Sequence, residues 1–438
     1  MMKKVLALAL SAAMMLSLAA CGGSSGSATS EASSAASSQS ETAQSEATSE
    51  ATSESTSSEE APAAEASGEP IVIGAVDATS GGSAPMGLPA RNGLELAVAE
   101  CNEAGGINGR PIKLITYDNE ADAAKSATEV TKLIEEDGAI LVITGSNSGI
   151  CNSDKYICEE AGVVNLCSIG TADTVIDDPQ VFYNTFRVGA PESYLQQLLG
   201  FVCKDAGYQK VGVIADTSGY GQTAVTTIQE IFQELGVPIE IVVQHENGTS
   251  DLTAQVLQMK NAGCDAVVSY NLGADAALTV KTMADLDWKV PTYGGRGLNM
   301  QSFVELVGEY GEGVIFPCDS DMNAPKLKAF IEKYLAAGYE EMSNYMFPAL
   351  GYATMQIAIE ALTRSNGEGG DALRDAFESI QDFQTVLGQE DAVVSYSPTK
   401  HEAVVTGRDV LNSIKDGAFI MVEEFPYEEP TDRYEENY

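Results

Sequence analysis

The chain has 438 residues, of which 44% are apolar, so it is long enough and apolar enough for two domains of ordinary size. Its formal net charge of −40 repels nucleic acid and anionic lipid headgroups and argues against either as a partner. Only two histidines occur, His245 and His401, which argues against a histidine-based metal site. We therefore predict neither a metal nor a cofactor.

The N-terminal segment, residues 1–20, has the pattern of a secretory signal. Lys3 and Lys4 precede an apolar run, Val5–Leu18, that is too short to span a membrane comfortably. Leu18–Cys21 is similar to a bacterial lipobox, which implies cleavage before Cys21 and a diacylglycerol on its sulfur. The alternative is an ordinary secretory signal with an incidental cysteine. On the first interpretation the protein is extracytoplasmic and is anchored to the cell membrane by lipid.

The segment that follows, residues 21–68, consists largely of Ser, Ala, Thr and Glu and has little to bury, so we predict disorder. A coil of this length has an end-to-end distance of roughly 35–40 Å, which suits a tether. Seven cysteines remain after Cys21, so at least one thiol stays free. Several, such as Cys101, Cys158 and Cys167, lie in apolar patterns, and we expect no disulfide framework.

The first half of the folded part alternates strands with helices. A buried strand, Ile71–Ala75, leads through a polar loop to a helix expected to begin near Pro89. Glycines in Ala104–Pro111 end this helix and turn the chain into a second strand, Ile112–Tyr117. A further helix leads to the strand Ala139–Thr144. This alternation predicts βαβ units around a parallel sheet.

Two polar loops then follow neighbouring strands. Gly145–Gly149 follows Ala139–Thr144 and leads into a helix that Gly162 ends, and the loop at Ser168–Thr171 follows the next strand. Both loops leave the carboxyl edge of the sheet, where open α/β sheets bind ligands. Hydroxyl and backbone N–H groups at a helix N-terminus can bind an anion. Our hypothesis is that Ser148 and Thr171 bind a carboxylate; the alternative is that they merely cap a helix and end a strand.

The pattern restarts at the strand Val211–Ala215 and predicts a second sheet of the same kind. Two similar open sheets in one chain indicate two lobes that face each other across a cleft. Long helical patterns occupy the C-terminal third, at Lys326–Ala337, Pro348–Thr363 and Leu373–Ile380. The last residues form an acidic tail, for which we predict loose order.

The motif Ala104–Pro111, read as AGGINGRP, is the most specific sequence signal. Together with Ile71–Gly74, Thr79–Gly81, Asp118 and the stretch 251–268, it resembles the type I substrate-binding proteins of ABC transporters, in the branched-chain amino-acid (leucine/isoleucine/valine-binding) family. The resemblance runs from about Ile71 to about Asn412. It implies an α/β fold with two Rossmann-like lobes, joined by three hinge crossovers, that close on a ligand.

We place the domain boundaries on this resemblance. The first lobe is expected at 69–190 plus 319–388, the second at 191–318 plus 389–425, and the acidic tail at 426–438. The three crossovers are expected near Gly189–Pro191, Cys318–Asn323 and Gly388–Ser395.

The resemblance also implies ligand-binding residues. In the family, a hydroxyl and backbone amides of the first lobe hold the ligand's α-carboxylate, and these positions fall on Ser148, Ile169 and Thr171. A second-lobe aromatic that covers the ligand falls on Tyr220, whose alternative role is that of a surface turn residue. Arg296 stands where the family has an acid that pairs with the ligand ammonium.

A cation at Arg296 would repel an ammonium group, and its planar fork suits a carboxylate. We therefore hypothesise an acidic ligand or one without the amino group. The alternative is that Arg296 pairs with a neighbouring protein acid or turns outward.

Sequence motifs give little support to an enzyme. Gly145–Gly149 is not a GxSxG motif because its third residue is Asn147, and no phosphate-binding glycine motif occurs. Ser397–Lys400 matches SxxK only formally, since the proline inside it indicates a turn. We predict a monomeric binding protein that delivers a small carboxylate-bearing nutrient, an amino acid or a related organic acid, to the permease and ATPase subunits of an ABC importer. A ligand-sensing receptor module of the same fold is the alternative, and a purely adhesive protein ranks third.

Overall fold

The computed structural model describes residues 68–176, 181–404 and 410–422. The predicted signal segment, Cys21, most of the linker and the acidic tail lie outside these residues. Within them, no helix combines the length and the apolar character that crossing a membrane requires.

Strands in the described residues belong to two sheets. In chain order they are β1 (Ile71–Asp77), β2 (Ile112–Asp118), β3 (Leu141–Thr144), β4 (Val164–Cys167), β5 (Thr185–Arg187), β6 (Val211–Asp216), β7 (Ile239–His245), β8 (Ala266–Tyr270), β9 (Thr292–Gly294), β10 (Ile315–Cys318), β11 (Phe383–Gln384), β12 (Val393–Ser397), β13 (Lys400–Val404), β14 (Val410–Lys415) and β15 (Ala418–Met421).

The helices that flank the sheets are, in chain order, α1 (Ala84–Glu103), α2 (Ala123–Glu135), α3 (Ser148–Ala161), α4 (Glu192–Ala206), α5 (Gly219–Leu235), α6 (Thr253–Ala262), α7 (Gly273–Asp285), α8 (Gln301–Val307), α9 (Pro325–Ala336), α10 (Met346–Arg364) and α11 (Asp371–Glu378).

Each sheet has a parallel centre and antiparallel strands at one edge. The first has the order β11-β12-β13-β5-β4-β3-β1-β2, in which the strands from β2 to β13 are parallel. The second has the order β15-β14-β10-β9-β8-β6-β7, in which β7 to β10 are parallel. Central strands such as β3 and β8 are buried along their whole length, which is why their sequences are continuous apolar runs.

Helix ends follow local sequence chemistry. Asn147 caps α3 by accepting a hydrogen bond from the N–H of Ile150, and Gly162 ends the helix at φ 65°. The expected start of α1 at Pro89 is wrong, because the helix begins at Ala84. Pro85, one residue after that start, is the proline that occupies the first turn.

The chain passes between the sheets close to the first two expected crossovers. It leaves the first sheet after β5, enters the second through α4 and β6, and returns after β10.

The third expected crossover, at Gly388–Ser395, is wrong. β12 and β13 still belong to the first sheet, so residues 389–404 belong to the first lobe and the chain enters the second sheet only at Val410. Tyr396 and Ala403 pack in the first lobe's core, and the Tyr396 hydroxyl donates a hydrogen bond to the Arg187 carbonyl. Burial of these side chains fixes the strands there.

Candidate functional site

Loops from both sheets line one cavity. Its empty space is about 320 Å³, a figure that includes solvent at the open side of the cavity. Each sheet has a strand-order reversal, between β1 and β3 in the first and between β6 and β8 in the second, and ligands of open α/β sheets bind at this position. The lining residues are Met86, Ser146, Asn147, Ser148, Ile169, Thr171, Tyr220, Leu272, Arg296, Gly297 and Phe347.

All five residues that the sequence indicated as ligand-binding line this cavity. Ser148, Ile169 and Thr171 come from the loops after β3 and β4, Tyr220 from the first turn of α5, and Arg296 from the loop after β9. The structure thus brings residues from both lobes together. The roles of these residues in binding stay predictions.

Ser148 is buried at the N-terminus of α3 and connects the two loops of the first lobe. Its Oγ accepts hydrogen bonds from the backbone N–H groups of Thr171, at 3.2 Å, and Ala172, at 3.1 Å. Because a hydroxyl also carries one donor hydrogen, Ser148 can still donate to an anion in the cavity. The hydroxyl proton and the α3 N-terminus together suit a carboxylate.

A buried arginine supports Thr171 from behind. Nη1 of Arg187 donates to the carbonyls of Thr171, at 2.9 Å, and Ala172, at 2.6 Å, while Nη2 pairs with the Glu402 carboxylate on β13. The backbone N–H of Glu192 donates to the same Thr171 carbonyl, at 2.7 Å. These contacts fix the backbone of the loop that presents Thr171 to the cavity.

Tyr220 is a buried residue of the second lobe, not an exposed turn residue. Its side chain packs near Tyr270, with the ring centroids 5.9 Å apart. Burial holds the pKa of the phenol well above its ordinary value. Among the described residues, the Tyr220 hydroxyl has no hydrogen-bond partner of normal geometry, so it is available to a polar ligand group.

Arg296 pairs with a protein acid. Its Nη1 lies 2.5 Å from Oδ2 of Asp319, which follows β10, and its Nη2 donates to the carbonyl of Ile169 in the first lobe. This contact supports the alternative in which Arg296 is neutralised within the protein. It also connects the second lobe to the first and to the second crossover.

Glu192 is a buried acid that the sequence analysis missed; it does not line the cavity itself but adjoins Thr171 and Arg296, which do. It is the first residue of α4, is 1% exposed, and neither carboxylate oxygen has a hydrogen-bond partner of normal geometry among the described residues. Burial raises the pKa of this carboxyl from 4.5 to about 7, although the Thr171 hydroxyl and the charge of Arg296 act in the opposite direction. An acid in the first turn of a helix usually serves only to stabilise the helix dipole, so its position in the sequence did not indicate a ligand site.

The two lobes touch at two glycines. A Cβ on Gly219 would lie 2.8 Å from the Cα and 3.0 Å from the N of Gly149. Gly149 is in the first turn of α3 and Gly219 in that of α5, so the N-termini of two helices meet beside the cavity. Real Cβ atoms do not approach a neighbour so closely, and the contact therefore requires glycine.

The remaining wall is apolar. Met86 and Phe347 contribute from the first lobe and Leu272 from the second. Within the part of the chain that the structure describes, no group of three or more His, Cys, Asp or Glu side chains could hold a metal ion. The arrangement can bind a small molecule with one charged end and one apolar end.

Comparison with known proteins gives a consistent result. A family model described as periplasmic binding protein matches residues 70–405. A Leu/Ile/Val-binding protein homologue of Brucella abortus is 28% identical over 321 residues, which cover 73% of this chain and 85% of the relative. An amino acid binding protein of Pseudomonas aeruginosa is 26% identical over 329 residues, with the same coverage of both chains.

Solved structures share the fold. A periplasmic binding protein type 1 of Bordetella pertussis aligns with a TM-score of 0.74 at 23% identity, over 81% of this chain and all of that chain. The branched-chain amino-acid transporter substrate-binding protein LivJ of Streptococcus pneumoniae, solved with isoleucine, aligns with a TM-score of 0.72 at 24% identity, over 81% and 99% of the two chains. At these identities the likeness establishes the two-lobed fold.

Proposed function

Because this chain belongs to the periplasmic binding protein family, we propose that it binds a zwitterionic amino acid with an aliphatic side chain between its lobes and delivers it to an ABC importer. The observation that carries the choice of a zwitterion is the buried carboxylate of Glu192, which lacks a hydrogen-bond partner of normal geometry among the described residues. A ligand ammonium would supply the missing charge and donors.

Thr171 is the common neighbour of the two polar subsites. The Ser148 hydroxyl lies 3.2 Å from its backbone nitrogen, and the Glu192 carboxylate lies near its side-chain hydroxyl. In an α-amino acid the carboxylate and the ammonium are attached to one carbon. A single such ligand can therefore place its carboxylate at Ser148 and its ammonium at Glu192, with the Tyr220 hydroxyl as a further polar contact.

The charge balance of the site favours this ligand over a dicarboxylate. Arg296 is already compensated by Asp319, so it does not demand a second ligand carboxylate. Glu192 would repel one. The apolar wall formed by Met86, Leu272 and Phe347 suits an aliphatic side chain.

Relatives support the same class of ligand. The names of the Brucella proteins specify leucine, isoleucine and valine, and the structure of the Streptococcus pneumoniae protein contains isoleucine. The homologues are substrate-binding proteins, and this chain is likewise not an enzyme. The family is extracytoplasmic; we propose further that Cys21 carries the lipid anchor, that the chain acts as a monomer, and that its importer partners are a permease and an ATPase.

A thermal-shift screen of the protein against amino acids and organic acids tests the proposal. We expect leucine, isoleucine or valine to raise the melting temperature, and glutamate, aspartate and the 2-oxo acids that lack the amino group to have little effect. Glu192→Gln should abolish the shift, and Glu135→Gln, the same change on an exposed face of α2, should leave it intact. Stabilisation by a dicarboxylate that Arg296→Ala removes would instead support the acidic-ligand alternative.

The receptor alternative shares the same site, so binding alone does not separate it from transport. Reconstitution with the permease and ATPase of the importer would separate them. Ligand-dependent ATP hydrolysis supports import, whereas a neighbouring kinase or chemoreceptor that responds to the loaded protein supports sensing.

A further inference from the structure

Two buried thiols share one space directly behind the first-lobe loops. The Sγ atoms of Cys151 and Cys167 each lie 3.0 Å from the point where a side chain on Gly170 would begin. Both cysteines are fully buried. Since Gly170 has no side chain, nothing of that residue separates the two sulfur atoms. The Cys151 thiol donates to the Gly145 carbonyl, at 3.4 Å, and the Cys167 thiol donates to the Gly170 carbonyl, at 3.8 Å.

The two sulfur atoms differ in reactivity. The neighbouring Cys167 thiol, together with burial, raises the pKa of the Cys151 thiol well above its ordinary value. Burial acts in the same direction on Cys167, but the neighbouring Cys151 thiol and the charge of Arg187 outweigh it and lower the pKa of that thiol. Cys167 is therefore the sulfur that ionises first and attacks an oxidant.

We propose that Cys151 and Cys167 are a redox pair that a hydroperoxide converts to a disulfide. The Cys167 thiolate attacks one oxygen of hydrogen peroxide, the O–O bond breaks and hydroxide leaves, which gives a sulfenic acid. The Cys151 sulfur then attacks the sulfenic sulfur, and water leaves as its thiol proton is lost. In sum, two thiols lose two protons and two electrons, and one peroxide is reduced to two waters.

Three other cysteines, Cys158, Cys203 and Cys264, are not paired with a second thiol in this way. Burial raises the pKa of the Cys158, Cys203 and Cys264 thiols. The other groups that raise these pKa values are nearby carboxylates and not a second thiol. Because only the thiolate form of a cysteine is reactive, a raised pKa makes these three thiols unreactive. The proposal therefore predicts one specific disulfide and no general oxidation.

The new bond would join the two segments that form the carboxylate subsite. Cys151 lies three residues after Ser148 in α3, and Cys167 ends β4, four residues before Thr171. Oxidation would fix the first turn of α3 to the end of β4. This inference rests on first-lobe geometry and on an extracytoplasmic location, where disulfides persist, and does not depend on the identity of the ligand.

Peptide mapping after peroxide treatment tests the pair. The reduced full chain is exposed to hydrogen peroxide, quenched with catalase, unfolded, alkylated with iodoacetamide and digested. Trypsin cleaves after Lys155 and glutamyl endopeptidase after Glu159 and Glu160, so Cys151, Cys158 and Cys167 fall in separate peptides. We expect one cross-linked product that joins the Cys151 and Cys167 peptides, two hydrogens lighter than their sum, and that dithiothreitol reverses.

Single variants assign the two sulfur atoms. Cys151→Ser should stop the reaction at an oxidised Cys167, Cys167→Ser should leave Cys151 reduced, and Cys158→Ser should form the disulfide as the wild type does. Alkylation of both Cys151 and Cys167 after peroxide would overturn the proposal, and so would irreversible sulfinic acids or a cross-link to another cysteine. The wild-type result decides the matter even if a variant fails to fold.

Discussion

Gly149 and Gly219 meet backbone to backbone across the gap between the lobes, with 2.8 Å between the Gly149 Cα and the site of a Gly219 side chain. The contact joins residues that belong to different lobes, so a rotation that moves the lobes apart would break it. A side chain added at Gly219 would therefore affect closure of the two lobes without entering the cavity.

Gly219→Ala should weaken ligand binding, since its methyl group would have to push the lobes apart. Overpacking of this kind costs roughly 1–3 kcal/mol, which predicts an affinity loss of about 5- to 150-fold. Helix α5 should be unaffected or slightly stabilised, because alanine favours helix. Isothermal titration with leucine, compared with denaturant unfolding, separates the two effects. The control is Gly82→Ala, where nothing lies within 4 Å; equal losses in both variants would contradict the closure argument.

Glu192→Gln should stabilise the unliganded protein at neutral pH. The folded-state pKa of about 7 exceeds the ordinary 4.5, so the folded state binds more protons than the unfolded state between these values. Wild-type stability therefore falls as the pH rises through this window, and the variant should be free of that loss, which is up to roughly 3 kcal/mol.

Asp77 and Asp154, whose pKa values burial raises to about 6 and about 7, titrate in the same range. The measurement is therefore the difference in urea unfolding between variant and wild type at pH 5, 6, 7 and 8. A difference that is constant across this range would show that Glu192 does not titrate as described.

Ligand binding should release protons near pH 6–7. An ammonium beside Glu192 favours the ionised carboxylate, so its pKa is lower in the complex than in the free protein. Affinity should accordingly rise from pH 6 to pH 8. Calorimetric titrations at pH 6.5 in two buffers of different ionisation enthalpy measure the proton count. Heats that agree in both buffers would place the ligand cation elsewhere.

Ser148→Ala and Thr171→Val should each reduce affinity by about 10- to 100-fold, the usual effect of losing a hydrogen bond to a charged group. Ser148→Ala also leaves the N–H groups of Thr171 and Ala172 without their acceptor, so this variant should lose some stability too. Ser153→Ala, on the same helix, is the control. Wild-type affinity in both site variants would refute the carboxylate assignment.

Arg296→Ala should destabilise the protein by roughly 3–5 kcal/mol, because it removes the cation from a buried ion pair with Asp319. Replacing both partners, as in Arg296→Met with Asp319→Asn, should recover much of this loss. Chemical unfolding measures the two variants. If leucine, isoleucine or valine still stabilises Arg296→Ala, the hypothesis that Arg296 binds a second carboxylate is rejected.

The sequence was sufficient for the parts of the site that local rules determine. Buried parallel strands are apolar runs and their carboxyl ends share an edge, so Ser148 and Thr171 could be placed together. The contacts of Arg296 could not be predicted from the sequence. Asp319 is 23 residues away from Arg296 along the chain, and Ile169 is 127 residues away and belongs to the other lobe. β12 and β13 were missed because short alternating strands give weak signals, and this error displaced the third crossover.

Glu402, in strand β13, is connected to the cavity through its ion pair with Arg187. It neutralises Arg187, and Arg187 holds the Thr171 and Ala172 carbonyls in place. When the chain is synthesised or exported amino terminus first, every cavity-lining residue therefore emerges before Glu402, whose ion pair with Arg187 fixes the loop that contains Thr171. The protein should become able to bind its ligand only once residue 402 has emerged. C-terminal truncations that keep every cavity-lining residue but remove Glu402 should therefore not bind ligand.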